Sequence, residues 1–445
     1  MTTLKDELRD VHPGRQGLGV GLAIGATIPG IVMRALGLEA PNAVAALLFG
    51  IAIVGAAFLL SWAAEVAQLD ISAGLAIAVL AFIAVLPEYA VDMVFAWKGG
   101  NAVELYGSSC QPPGAEGESA CSLALANMTG ANRLLIGIGW SMVVFVVWYR
   151  TRKRREGPIR EVVLERSHAV EVSFLALATL YSLTLPLKPA ITLIDSVVLV
   201  GIFAAYTWRI SRAPAEEPHL VGPARLIGTF PTPRRRAAVI AMFVFAATVI
   251  LMCAEVFAEA LVETGQELGI SEFLLVQWLA PLASEAPELL VAGLYAWRLN
   301  SNAGLGTLVS SKVNQWTLLV GTLPIVFAIA SGGLSGLPID AHQRVELFLT
   351  AAQSFFALAV LATLSISTRE AMLLFGLFWA QFIIGAIVPE SAGGIERTIV
   401  ASVYVVLGLV IFVRERHLLP PLFRDGFRTP YARLSTAGDA EAVGE

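Results

Sequence analysis

Predominantly apolar stretches, each long enough to cross a lipid bilayer, recur twelve times along this chain. They cover about 18–37, 42–66, 70–97, 121–149, 169–187, 190–210, 236–263, 270–297, 303–332, 342–367, 369–390 and 396–414. A helix needs roughly 20 residues to span the hydrocarbon core. There, backbone polar groups are satisfied only inside a helix or a closed barrel, and the roughly ten-residue alternating segments of a barrel are absent. The expected fold is therefore an all-α polytopic membrane protein with about twelve transmembrane helices. Composition agrees: of 445 residues, 56% are hydrophobic and 15% charged, against about 25% charged in soluble domains.

Orientation follows from where Lys and Arg sit, not from the net charge of −5. Three connections are basic: YRTRKRREGPIR at 149–160, the 209–236 segment with six arginines, and the tail after residue 413. The 99–120 loop holds no Lys or Arg but carries Glu104, Glu116 and Glu118. Twelve helices and a cytoplasmic N-terminus place all three basic segments inside and this loop outside, so both termini are expected in the cytoplasm. The expected location is multi-pass, in a plasma membrane of bacterial type. The basic runs read as membrane-surface charge, with the bilayer as partner and no nucleic acid. The first residues lack a cleavage site and do not read as a removed signal peptide. Cys110 and Cys121 border the outside loop, and whether they pair stays open. The scattered histidines suggest no zinc site.

An internal repeat organises the chain. Pro87, Glu88, Val91, Ala96, Trp97 and Lys98 match Pro287, Glu288, Val291, Ala296, Trp297 and Arg298 at a constant offset of 200. The following helix repeats in its small and polar positions, ANMTGANRLLIGIG (126–139) against GTLVSSKVNQWTLL (306–319). Five spans separate the copies, an odd number, so they cross the membrane in opposite directions, as in transporters with a substrate site at the midplane. Glu88 stands nine residues before Trp97, about 14 Å along a helix and so near mid-depth. A carboxylate there costs about 2.5–3.5 kcal/mol on insertion scales and calls for a function. The proline before each glutamate removes a backbone donor, and a broken helix would expose carbonyl oxygens able to join the carboxylates around a cation.

These segments resemble the calcium/cation antiporter superfamily, of the sodium/calcium exchanger type. Its repeats carry a G-[TS]-S-x-P-E helix followed by G-N-x-x-G-S-N-x-x-[ND]. The resemblance implies two inverted five-helix repeats over roughly 42–390, with 18–37 and 396–414 as flanking spans. The implied division is 1–41, N-terminal tail and extra helix; 42–210, first half with its repeat at 70–149; 211–235, cytoplasmic linker; 236–390, second half with its repeat at 270–332; and 391–445, extra helix and cytoplasmic tail. It further implies cation binding by Glu88 and Glu288, the metal ligands, with Ser284, Asn127, Ser311 and Gln315 at motif positions. Asn132 also fits the motif. Ala84, Ala131 and Leu135 replace polar positions of the family's sodium sites, Lys312 replaces an Asn, and Gln315 resembles the proton-coupled members.

Two more acids share the faces of the paired glutamates: Asp92 is four residues after Glu88, and Glu285 three before Glu288. Lys312 and Arg133 bring positive charge to the same depth. One expectation is that they neutralise Glu285 and Asp92, leaving Glu88 and Glu288 for the ion. The other is that Lys312 occupies the cation site in one state. A hard ion such as Ca²⁺ takes six to eight oxygens, and close carboxylates do not all ionise without a counter-cation, so protons would compete with it. The function expected is secondary antiport of Ca²⁺ against H⁺ or Na⁺, with inorganic cations as substrates and no cofactor. Monovalent Na⁺/H⁺ exchange, or an exchanger-derived protein that no longer transports, are the alternatives. A membrane-embedded enzyme would need a nucleophile–base or metal cluster at depth, and no HExxH, Walker motif or nucleophile elbow is present. Oligomeric state is not legible.

Overall fold

In the computed structural model the described residues are 11–70, 86–114, 118–154, 157–213, 220–269, 272–387 and 394–434. The apolar runs fold as helices: α1 (Pro13–Leu36), α2 (Asn42–Ala67), α3 (Leu86–Tyr106), α4 (Ala120–Thr151), α5 (Ala169–Ser182) and α6 (Leu193–Ile210) in the first half. After the short α7 (Pro223–Gly228) come α8 (Thr232–Leu268), α9 (Glu272–Trp297), α10 (Ser301–Ala330), α11 (Ala341–Val360), α12 (Thr368–Ile387), α13 (Ile395–Arg414) and the short α14 (Leu419–Phe427). Nine segments among the described residues are long and apolar enough to cross a membrane. The remaining expected spans coincide with α3, α9 and α12; the first part of the 70–97 run, with Ala84, lies outside the described residues. The fold is all-α, with two inverted repeats.

Local signals set the helix ends. Asp340 and Gln343 form a reciprocal capping box at the start of α11, as Thr192 and Asp195 do for α6. Gly37 and Gly269 close α1 and α8 in the left-handed region, at φ 62° and 63°. Pro281 and Pro287 do not break α9, which is continuous around both, contrary to the expectation of an interrupted helix. Each still removes one backbone donor, and Pro281 thereby frees the carbonyl of Gln277. Both repeats carry a π-helical turn at corresponding places, Leu135–Trp140 in α4 and Gln315–Leu319 in α10.

The core of the molecule is a four-helix cluster in which α3 packs on α4, α9 on α10, α9 on α4 and α10 on α3. The last two contacts are equivalents under the repeat. Close approach of α4 to α9 requires Gly130, since a Cβ there would stand 1.8 Å from the Gln277 carbonyl oxygen. Around this cluster α2 packs against its counterpart α8, α1 lies on α2, and α13 lies on α11.

Two short antiparallel strand pairs fasten loops across the repeats. Strand β1 (Glu161–Val163) pairs with β4 (Ser365–Ser367), and β2 (Ala190–Ile191) with β3 (Leu337–Pro338). Loops that the span count puts on one side are joined by one pair, and loops of the opposite side by the other. Cys110 and Cys121 are joined by a disulfide. Lys98 meets Glu259 at 2.8 Å, and Arg34 meets Glu255 at 3.5 Å, on the protein surface.

The connection between halves and the C-terminal segment are both docked. Arg235 and Arg236 bridge to Asp70 at 2.8 and 3.3 Å. The segment after residue 418 packs back on the first half. There α14 packs on α5, Arg166 pairs with Asp425 at 2.6 Å, and Arg209 donates to backbone carbonyls of Asp425, Gly426 and Thr429. The cause is in the sequence: α14 is amphipathic, and basic residues of the neighbouring connections meet its acid and its free carbonyl ends.

Candidate cation site

Glu88 opens α3, while Glu285 and Glu288 project from one face of α9, three residues apart. Packing of the two helices brings one oxygen from each of the three carboxylates within 4.8 Å of the others. Glu88 and Glu285 are fully buried and Glu288 is partly exposed, so the cluster reaches a surface on one side. Gln315, from the π turn of α10, donates to Glu285 and, at 3.4 Å, to Glu88. One oxygen of each carboxylate accepts no hydrogen bond among the described residues. Three converging carboxylates, each with an oxygen left unpaired, are what a hard cation needs.

Glu285 thus stands among the candidate ligands instead of being neutralised away from them. The charge pairings expected from sequence are not those observed. Arg133 pairs with Glu346 of α11 at 2.8 Å, and Asp92 instead accepts from Asn127 Nδ2 at 2.8 Å. Lys312 donates through Nζ to the Asn132 backbone oxygen at 2.6 Å and to Asn132 Oδ1 at 2.7 Å, and meets no carboxylate within 4.0 Å among the described residues. The reason is reach: Arg133 and Lys312 point to opposite neighbours although both lie on the motif helices. Ser284 turns back on its own helix, donating to the carbonyls of Ala280 and Pro281 at 3.2 and 3.3 Å. Ser311 is buried with its hydroxyl unpaired among the described residues, and Asn127 Oδ1 is likewise unpaired.

Residues that sequence reading missed surround Arg133. Glu346 receives Arg133 at 2.8 Å, Arg397 at 2.8 Å and Gln277 Nε2 at 3.1 Å, with His342 3.8 Å away. Gln277 also donates to Thr129 at 3.1 Å, and Gln353 to the Arg133 backbone oxygen at 3.5 Å. The signal was present in α11, where Glu346, Thr350 and Gln353 form a polar stripe at helical spacing inside an apolar run.

This geometry can hold one divalent cation between α3 and α9, helices of opposite repeats, and can exchange it for protons on the same oxygens. Comparison with known proteins points the same way. The family model described as sodium/calcium exchanger protein matches residues 41–211 and 238–386. A crystal structure of the H⁺/Ca²⁺ exchanger CAX is 41% identical, with 95% of this chain and 99% of that chain covered and a TM-score of 0.83. The Ca²⁺/H⁺ antiporter protein YfkE, 14% identical, covers 88% of this chain and 99% of its own at a TM-score of 0.57, and shares the fold. No curated protein sequence gives a significant match. With the family model matching both halves of the chain, and a relative this similar along nearly its whole length, the chain is a member of the sodium/calcium exchanger family.

Proposed function

We propose that this protein is a secondary active antiporter that exchanges Ca²⁺ for protons by alternating access at Glu88, Glu285 and Glu288. The observation that carries the reading is the convergence of three carboxylates within 4.8 Å, each with an unpaired oxygen. Proton coupling is favoured over sodium coupling by Gln315 on the two buried glutamates and by Ala131 and Leu135 at positions that would have to supply oxygens. With the ion bound, the carboxylates are charge-compensated. With it gone, mutual repulsion in a dry site draws protons onto them, and both forms are compact enough to be carried past the barrier. Both termini are assigned to the cytoplasm, supported by the basic connections and by strand pairs that join same-side loops. Inorganic cations are the substrates, and the mechanism calls for no cofactor.

The test is ⁴⁵Ca²⁺ uptake into proteoliposomes under an imposed pH gradient, compared with a Na⁺ gradient. Uptake should follow the pH gradient, and Glu88→Gln, Glu285→Gln and Glu288→Gln should each abolish it or lower Ca²⁺ affinity by about tenfold or more. Uptake unaffected in all three variants would exclude this site; uptake following Na⁺ alone would exclude the coupling.

A further inference from the structure

The two buried bases of the motif helices have different fates. Arg133 belongs to an ion-pair network: Glu346 takes Arg133 and Arg397, Arg397 also reaches Glu396 at 3.1 Å, and His342 stands 3.8 Å from Glu346 and 3.3 Å from Glu118. Arg133 is there paired with an acid. Lys312 is fully buried, and among the described residues its ammonium donates to the carbonyl and amide oxygens of Asn132, with the Trp316 ring 5.3 Å away. Gln315, one turn further on and on the same face, donates to Glu285.

The position of Lys312 in the repeat gives this contact its meaning. Residues 126–139 align without gaps on 306–319, so Lys312 is the counterpart of Asn132, 180 residues away. Each repeat presents the same position to the other, and the two meet where the repeats face each other. An ammonium between a backbone carbonyl and an amide oxygen has the surroundings of a small monovalent cation. Charge balance agrees. Three carboxylates converge with no basic partner within 4.0 Å among the described residues, one more negative charge than a divalent ion neutralises, and Lys312 is a neighbouring base with no acid within 4.0 Å among them. Asp92 stands one turn from Glu88 with Asn127 on it and lies outside the converging set.

We infer that Lys312 is a specificity-determining residue: its tethered ammonium fills the place of a monovalent cation beside the divalent ion and so excludes Na⁺ from the exchange cycle. The inference rests on the reading of Glu88, Glu285 and Glu288 as the Ca²⁺ site. A neutral side chain at 312 leaves the position vacant while the third carboxylate stays uncompensated, and an alkali cation then enters with Ca²⁺.

The experiment uses the purified full-length protein in proteoliposomes, with ⁴⁵Ca²⁺ and ²²Na⁺ as probes and choline replacing Na⁺ in the control arm. Wild-type ⁴⁵Ca²⁺ exchange should be the same in Na⁺ and in choline, with no Ca²⁺-dependent ²²Na⁺ uptake. Lys312→Gln should make ⁴⁵Ca²⁺ exchange faster in Na⁺ than in choline by about tenfold or more, with ²²Na⁺ uptake appearing alongside. Lys312→Arg, which keeps the charge, should stay indifferent to Na⁺. A Lys312→Gln protein that exchanges Ca²⁺ equally well in Na⁺ and choline overturns the inference and leaves the proposed function standing. Failure of wild type to exchange Ca²⁺ removes both, and is seen before any variant is made. If Lys312→Gln does not fold, Asn132→Ala, which loosens the tether, should give a smaller Na⁺ stimulation; none overturns the inference.

Discussion

Replacing Glu346 by Gln removes one charge and almost no volume from the centre of a buried network. Glu346 side-chain exposure is 3% and that of its partner Arg133 is 4%, with N–O distances of 2.8 Å to both Arg133 and Arg397. At that separation and an effective dielectric constant of about 20, each pair attracts by about 6 kcal/mol before desolvation. The net worth of the pairs is far smaller, because burying the ions is itself costly. Breaking them is nevertheless expensive, about 3–5 kcal/mol, since Arg133 stays buried without a counter-charge. That lowers the folded-to-unfolded ratio by roughly two to nearly four orders of magnitude. The assay is thermal unfolding in detergent micelles, followed by tryptophan fluorescence and by recovery of a monodisperse species. Glu346→Gln should melt well below wild type. The double variant Glu346→Leu with Arg133→Met, which removes the stranded charge as well, should regain most of the loss. A single variant as stable as wild type, or a double variant no better than the single, refutes the reasoning.

Gly130→Ala should destabilise the protein by about 1–3 kcal/mol, because the new Cβ would stand 1.8 Å from the Gln277 carbonyl oxygen. Gly376→Ala, where nothing lies within 4 Å of the added carbon, is the control and should be neutral or mildly stabilising in the same melt. The C-terminal segment should loosen in acid. Burial pushes the Asp425 carboxyl up, but hydrogen bonds from Arg166 and Thr429 outweigh it and leave it below the usual carboxylate range. A depressed folded-state value means that the docking contribution is present at neutral pH and is lost as pH falls below about 4 through that value. Hydrogen exchange across 419–434 should therefore be protected at pH 6 and lose protection near the acid limit, and equal protection at both would count against the Arg166–Asp425 clasp.

The spans and the repeat were legible because each rests on a long-range regularity of the chain. Apolar runs of bilayer length have few alternative fates, and an offset of 200 that preserves Pro-Glu, Ala-Trp and a following base is hard to produce without a duplicated element. The partners of Arg133 and Lys312 were not legible. Depth along a helix can be counted from sequence, but the direction in which a long side chain leaves it depends on the neighbouring helices. Opposite charges at equal depth therefore suggested Asp92 and Glu285, whereas packing supplied Glu346 from α11 and Asn132 from α4. Glu285 was set against a base for the same reason, although its three-residue spacing from Glu288 already placed both on one face.

The paired π turns bear on how this chain arose. Leu135 and Gln315, where the turns begin, are 180 residues apart, the same offset that aligns the flanking helices without a gap. A π turn accommodates one residue more than the regular helix does. Had that residue been inserted separately into α4 and α10, two independent events would have had to strike the same helical position. One insertion in a single ancestral repeat, made before the gene doubled, accounts for both. The distortion beside the carboxylates is then older than the two-repeat protein, and the changes that distinguish the copies, Asn132 against Lys312 and Leu135 against Gln315, were made on a backbone that already carried the π turn.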